Sequence, residues 1–179
     1  RRLDVPGHDV AWVERLTNGW LLRGNAVFQH AKGPAAISYE VECTPQWVTR
    51  RGIVRGMLDS SKISIVTERE RNGRWWINGS EAPEAEGLMD LDYGFTPATN
   101  FTQLKRETMA IGESRDITVA WTDIDRSSLT VLPQRYERIS EQQYAYSSPT
   151  AGYQETLTLD ASGFVVEYPR LWIQELAVH

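Results

Sequence analysis

An all-β fold is what this sequence predicts: an antiparallel, barrel-like or spiral sheet built from hairpins, with little helix. Three observations point there. Asn-Gly pairs sit between extended apolar runs, the strongest short signal for a hairpin. Several runs alternate apolar and polar residues with period two, as strands with one buried face do. No stretch carries a sustained apolar repeat of helical period.

Along the chain, Asn18-Gly19 joins Ala11–Leu16 to Trp20–Phe28, and both turn residues are expected at positive φ in a type I′ turn. His8, beside Gly7, is expected in a loop before this hairpin. Ile37, Tyr39, Val41 and Cys43 then share one face of a strand, with Ser38, Glu40 and Glu42 on the other. Asp59-Ser60-Ser61 turns Trp47–Leu58 into Lys62–Arg69, and Asn72-Gly73 leads from Ile63–Arg69 into Trp75–Ile77. Pro83 interrupts the acidic segment Ser80–Gly87, which is too short for a stable helix.

In the second half, Ile117, Val119 and Trp121 alternate with Thr118, Ala120 and Thr122. Tyr153, Glu155, Leu157 and Leu159 alternate with Gln154, Thr156 and Thr158. The turn Asp160–Gly163 connects that strand to Phe164–Tyr168. Pro169–Val178 suits either a helical turn, with Leu171, Trp172 and Leu176 facing inward, or a last strand. No linker or composition break divides the chain, so residues 1–179 are expected to form one domain. The hairpins around Asn18-Gly19 and Asn72-Gly73 are loosely alike, which leaves a duplicated sheet open.

The 179 residues carry a net charge of -5, with 41% hydrophobic and 24% charged residues, a globular composition and not a disordered one. The acidic balance argues against nucleic acid as a partner, since phosphate binding needs a basic face. One cysteine, Cys43, excludes an internal disulfide framework and a cysteine-rich zinc site. No apolar run approaches the ~20 residues of a membrane span. The chain starts with Arg and not Met, which leaves a trimmed leader open. Arginine outnumbers lysine 16 to 3, and its planar fork suits carboxylates, phosphates and aromatic faces.

The densest candidate stretch runs from Gly87 to Asn100. On a strand, Asp90 and Asp92 point to one side and Met89, Leu91 and Tyr93 to the other. Two such carboxylates can share a proton, bind a cation or pair with arginine, and the apolar neighbours favour arginine pairing over catalysis. Alternation separates Arg135 and Glu137 from Tyr136 and Arg138. Arg51 and Arg55 are expected on the face of Trp47, Thr49 and Ile53, where they stack on rings, meet an anionic head group or pair with Glu40 and Glu42. Trp75 and Trp76 follow a tight turn, so one ring faces in and the other out. Cys43 reads as a small buried hydrophobe. The histidines are His8, His30 and His179, and the nucleophile elbow, zinc-protease, P-loop and dinucleotide motifs do not occur. No catalytic residue, metal or cofactor is assigned.

Several segments together resemble the putative glycolipid-binding family of bacteria over nearly the whole chain. They are Arg2-Leu3-Asp4 with Pro6-Gly7, Tyr39–Cys43 before Trp47, and Trp75-Trp76-Ile77-Asn78-Gly79. They continue with Asp90–Asn100, Pro133-Gln134-Arg135-Tyr136 and Tyr168-Pro169-Arg170-Leu171-Trp172. The block Asp90-Leu91-Asp92-Tyr93-Gly94-Phe95-Thr96-Pro97-Ala98-Thr99-Asn100 is the most specific of them. The resemblance implies a barrel-like fold similar to bacterial lipid carriers, a lipid or glycolipid ligand, and a cytoplasmic location.

The reading that uses most of these features is non-catalytic binding of a lipid or glycolipid in a partly apolar barrel cavity. Its expected site comprises Trp75, Trp76, Asp90, Asp92, Tyr93, Phe95, Arg51, Arg135, Tyr136 and Arg138, with arginines at the polar head. One alternative is an interaction module whose exposed aromatics form a homodimer face. The other is a hydrolase using Asp90 and Asp92.

Overall fold

A computed structural model describes residues 1–175. Among these residues fourteen strands form two sheets of seven, each wound in chain order. The first holds β1 (Gly7–Leu16), β2 (Gly19–His30), β3 (Gly33–Cys43), β4 (Thr49–Leu58), β5 (Ser61–Arg69), β6 (Trp75–Ile77) and β7 (Ser80–Glu81). Every neighbouring pair in it is antiparallel, and the sheet curls into a half-barrel. The expected hairpins are present, but their turns differ from the type I′ reading. Leu16 pairs with Gly19, so Thr17 and Asn18 form the first loop. Only the glycines take positive φ, 148° at Gly19 and 95° at Gly73, while Asn18 and Asn72 do not. His8 lies on β1, not in a loop.

The second sheet contains β8 (Leu91–Tyr93), β9 (Ser114–Thr122), β10 (Thr130–Arg138), β11 (Gln143–Ser148), β12 (Tyr153–Leu159), β13 (Val165–Tyr168) and β14 (Trp172–Ile173). Two features depart from the expectation. Strand β8 runs parallel to β9, because the intervening chain crosses over instead of turning back. That crossover contains the helix α1 (Thr99–Arg106), which no apolar repeat announced. The last strand is present at Trp172–Ile173, and Leu176 lies outside the described residues. The two Asn-Gly hairpins both fall in the first sheet.

Alternation decides the inner face of the first sheet. Ile37, Tyr39, Val41 and Cys43 are all buried, as are Leu22, Ala26 and Phe28 on β2 and Val54 on β4. Leu91, Tyr93 and Phe95 fill the concave side from the second half of the chain, with Phe95 stacked between Tyr93 at 5.3 Å and Phe28 at 6.4 Å. This contact needs Gly52: a Cβ there would stand 2.3 Å from Leu91 Cδ2 and 2.3 Å from the Tyr93 hydroxyl. A second core, with Ile117, Val119, Tyr136, Tyr146 and Leu157, covers the facing side of the second sheet. The interior of the curled sheet is therefore packed with the protein's own side chains. Open space lies elsewhere.

A bulge corrects one expected face. Glu42 pairs with Arg51 but Cys43 pairs with Thr49, so Arg50 is the extra residue. Thr49 is thus turned inward and buried, whereas Arg51 and Arg55 lie exposed on the outer face. They do not share the face of Thr49.

Candidate ligand-binding cleft

The block from Asp90 to Asn100 crosses between the sheets, and its polar side chains are hydrogen-bonded to other parts of the protein. Asp90 accepts from Arg106, through Nε at 3.0 Å and Nη2 at 2.6 Å. Asp92 accepts from the Thr99 hydroxyl at 2.5 Å and from Gln134 Nε2 at 2.8 Å. Thr96 donates to Asp9 at 2.7 Å, and the Tyr39 hydroxyl also donates to Asp9 at 3.0 Å. Asn100 Nδ2 donates to the Tyr136 hydroxyl at 2.6 Å. The single proton of Tyr136 serves either Gln103 Oε1 at 3.0 Å or Gln134 Oε1 at 3.1 Å. Most buried polar groups are paired in this way, and the block reads as a hydrogen-bonded spine and not as a solvated edge.

Helix α1 belongs to this spine. Its residues Thr99, Asn100, Thr102 and Gln103 are buried although polar, because Asp92, Tyr136 and backbone carbonyls accept or supply their hydrogen bonds. Gln103 Nε2 is buried without a partner.

The spine forms one wall of a cleft of about 310 Å³. Asp92, Asn100, Tyr146, Tyr153, Tyr168 and Trp172 are the lining residues that carry its chemistry. Three of the tyrosines cluster, with ring centres 5.0 Å apart for Tyr153 and Tyr168 and 5.7 Å for Tyr146 and Tyr168. Among the described lining residues Asp92 is the one carboxylate and none is a lysine, arginine or histidine, while the guanidinium groups of Arg126 and Arg170 lie over the Trp121 and Tyr153 rings at 4.7 and 5.5 Å. Burial pushes the Asp92 carboxyl up to about 6, against the hydrogen bonds of Thr99 and Gln134 that lower it. Burial likewise raises Tyr153 to about 12, and Tyr146 and Tyr168 are held above the ordinary phenol range. All three phenols therefore keep their protons at neutral pH. The cleft offers hydroxyl donors and acceptors, an amide, one acid and aromatic faces.

The structure places the sequence-derived site residues in separate locations. Asp92 and Tyr93 line the cleft, and Tyr136 stands behind it as the hub of the spine. Phe95 and Trp75 are core residues, with Trp75 Nε1 donating to the Leu88 carbonyl at 3.0 Å. Asp90 is held by Arg106, so the two acids of the block answer to different partners: one to arginine, as expected, the other to Thr99 and Gln134. Trp76 lies half-buried on the outer side of the first sheet, its indole N–H on Glu70 at 3.1 Å. It meets Arg51 across a shallow surface hollow where arginines alternate with Glu68 and Glu70. Arg135 pairs with Asp116 at 2.9 Å on an exposed face. Arg138 donates to the Met109 carbonyl at 2.8 Å and caps the Tyr144 ring.

Sequence reasoning missed Gln134 and Thr99 as the partners of Asp92, and Tyr146, Tyr153, Tyr168 and Trp172 as lining groups. The tyrosine signal was present: inward positions of β11, β12 and β13 carry Tyr146, Tyr153 and Tyr168. Among the described residues no group of three or more His, Cys, Asp and Glu is arranged to hold a metal ion, and no helix is long and apolar enough to cross a membrane.

Fold and cleft together define an all-β protein of two stacked-in-order sheets, one a curled half-barrel, with a tyrosine-lined hollow against the second. Residues 1–174 match the family described as "Putative glycolipid-binding", and the chain belongs to that family. Its fold is similar to the crystal structure of a DUF1089 family protein from Pseudomonas aeruginosa, with a TM-score of 0.81 and 19% identity over 94% of this chain and 92% of that one. No curated protein matches the sequence.

Proposed function

We propose that the tyrosine cleft binds the uncharged, hydroxyl-rich head group of a lipid or glycolipid, without catalysis. The observation that carries this reading is the lining itself: clustered tyrosines with Asn100 and Asp92. Tyrosine and tryptophan rings offer flat apolar faces to a sugar ring, and their polar tips meet its hydroxyls. An anionic head group would have to approach the buried Asp92 carboxylate, which low local dielectric makes costly. Arg51, Arg135 and Arg138, expected at the head group, lie outside this cleft, so the polar contacts fall to Asp92, Asn100 and the phenols.

Native mass spectrometry of the protein purified from its own host, with organic extraction of what it carries, tests the proposal. A co-purifying neutral amphiphile of defined mass is the expected result. Repeated recovery of ligand-free protein, together with no binding across a lipid array, would overturn it.

A second reading, a dimerisation module, rests on one observation. Val10, Trp12, Val27 and Met57 lie exposed together on the outer face of β1 to β4, and Val27, Ala36 and Met57 form one cross-strand row. Light scattering over a concentration series decides it, since a dimer would double the mass.

A further inference from the structure

Two sheets have four edges, and three of these are short or occupied. Strand β7 has two residues, and β14 pairs with the backbone of Arg1. Strand β8 meets Thr49, whose hydroxyl accepts from the Leu91 N–H at 3.1 Å. Strand β1 is different: its ten residues pair with β2 without a register shift, and no strand lies on its other side. Among the described residues, no backbone group from His8 to Leu16 has a backbone partner outside β2. A polar hollow of about 350 Å³ separates His8–Ala11 from β13 and β14. Long edges are ordinarily blunted by proline, lysine, a bulge or an inward charge. Strand β1 has no proline, lysine or bulge, and its inward charge, Asp9, is taken up by Tyr39 and Thr96.

We infer that β1 pairs with β1 of a second copy of this chain, antiparallel about a two-fold axis through Ala11, joining the first sheets of both copies into one. The inference rests on the dimerisation reading and adds the pairing mode and register to it. About that axis His8 faces the second copy's Glu14, Val10 faces its Trp12 and Asp9 faces its Val13, each contact occurring twice. A ring N–H of His8 donates to the opposite carboxylate, and an aromatic ring against a β-branched residue is a favoured cross-strand pair. Moving the axis to Trp12 sets Val10 against Glu14, and moving it to Val10 sets His8 against Trp12. Ala11 is thus the centre that matches polar with polar and apolar with apolar on the outer face. The four side chains are open to a partner, with exposures of 60% at His8, 59% at Val10, 40% at Trp12 and 41% at Glu14. Within one copy His8 meets Glu175 at 3.0 Å and Glu14 accepts from Trp12 Nε1 at 2.9 Å, surface contacts that exchange for those across the axis.

Sedimentation equilibrium of the full chain over a concentration series, with amide exchange followed by NMR, tests this. The mass should double as concentration rises, and exchange in β1 should slow as the dimer forms. His8→Glu puts two carboxylates opposite each other, and Glu14→Lys puts an amine opposite His8, twice in each dimer. Each variant alone should therefore associate about tenfold more weakly. An equimolar mixture of the two should recover the native strength, because one new pair is of opposite charge and the other is the native pair. Both positions lie at the surface, and recovery in the mixture shows that both variants are folded. Dimers whose β1 amides exchange as in the monomer, or mixtures no stronger than either variant, would overturn edge pairing and leave packing through the outer face standing. A monomer mass at every concentration would bring down both.

Discussion

Thr99 donates its hydroxyl to Oδ1 of Asp92 at 2.5 Å, tying the first residue of α1 to the centre of β8. The same oxygen of Thr99 accepts from the backbone N–H of Tyr93 at 3.3 Å. One hydroxyl thus fixes both the short parallel strand and the helix that follows it. Replacing it by a methyl group in Thr99→Val keeps the shape and removes both bonds. The expected loss is about 1–3 kcal/mol of stability, since a buried acceptor and a buried donor are left unpaired. Urea denaturation measures it, and the Asp92 carboxyl should titrate still higher by carbon NMR.

Asp92 also makes stability depend on pH in a direction opposite to most carboxylates. Burial raises its pKa from the ordinary 3.8 to about 6, so the folded protein holds this proton more tightly than the unfolded chain does. Its contribution is greatest below 3.8 and is lost as pH rises through about 6. Asp9, also raised to about 6 by burial, acts with the same sign. Asp92→Asn removes the titration at one site. Relative to that variant, the native protein should lose up to about 3 kcal/mol between pH ~4 and ~7, read from paired denaturation curves. Parallel curves for the two proteins would refute the assignment.

The ion pair of Asp90 and Arg106 differs from the others in being withdrawn from water. Side-chain exposures are 1% and 13%, against 51% and 75% for Arg135 and Asp116. Removing one partner strands a charge. Arg106→Met should therefore cost about 3–5 kcal/mol, and adding Asp90→Asn should recover a large part of that loss. A double-mutant cycle of melting curves gives the coupling directly. Additive losses would mean that the pair is not coupled.

How far the sequence revealed this arrangement depended on which physical signal each part leaves. Strands of the first sheet were legible because one face meets the core and the other meets water, so Ile37 to Cys43 alternate cleanly. That one of Trp75 and Trp76 faces in and the other out followed from the same rule, and the structure turns Trp75 inward. Helix α1 was invisible because, apart from Phe101, its buried side is made of Thr99, Asn100, Thr102 and Gln103, which hydropathy reads as solvent-facing. Asn100 and Gln103 are held by Tyr136, more than 30 positions away, and Thr99 by Asp92 on the preceding strand, and no hydropathy pattern encodes those bonds. The bulge at Arg50 left no composition signal either, and it turned Thr49 to the face opposite Arg51. The cleft was legible in half: Asp92 and Tyr93 stood out in a dense block, but its tyrosine wall is assembled from three separate strands of the second sheet.

Two arginines decide where the ligand's head group lies. Arg51 is exposed and sits 3.7 Å from Glu68, and Arg135 is exposed and sits 2.9 Å from Asp116. Exposed pairs of this kind contribute about 0–1 kcal/mol, because solvent screens them and ordering long side chains opposes them. Arg51→Ala and Arg135→Ala should therefore shift stability by less than about 1 kcal/mol and leave glycoside affinity unchanged. Tyr153→Ala should behave differently, although its ring is also partly open to solvent. It removes one face of the tyrosine cluster, with Tyr168 5.0 Å away, and the hydroxyl that donates to the Pro169 carbonyl at 2.7 Å. Losing a stacking face and its ordered neighbour should weaken glycoside binding by about tenfold or more, on the scale of a ring contact worth ~1.4 kcal/mol. Calorimetric titration of the three variants with one decyl glycoside separates the outcomes. Affinity lost in Arg51→Ala or Arg135→Ala, and kept in Tyr153→Ala, would move the head group from the cleft to the outer face of the sheets.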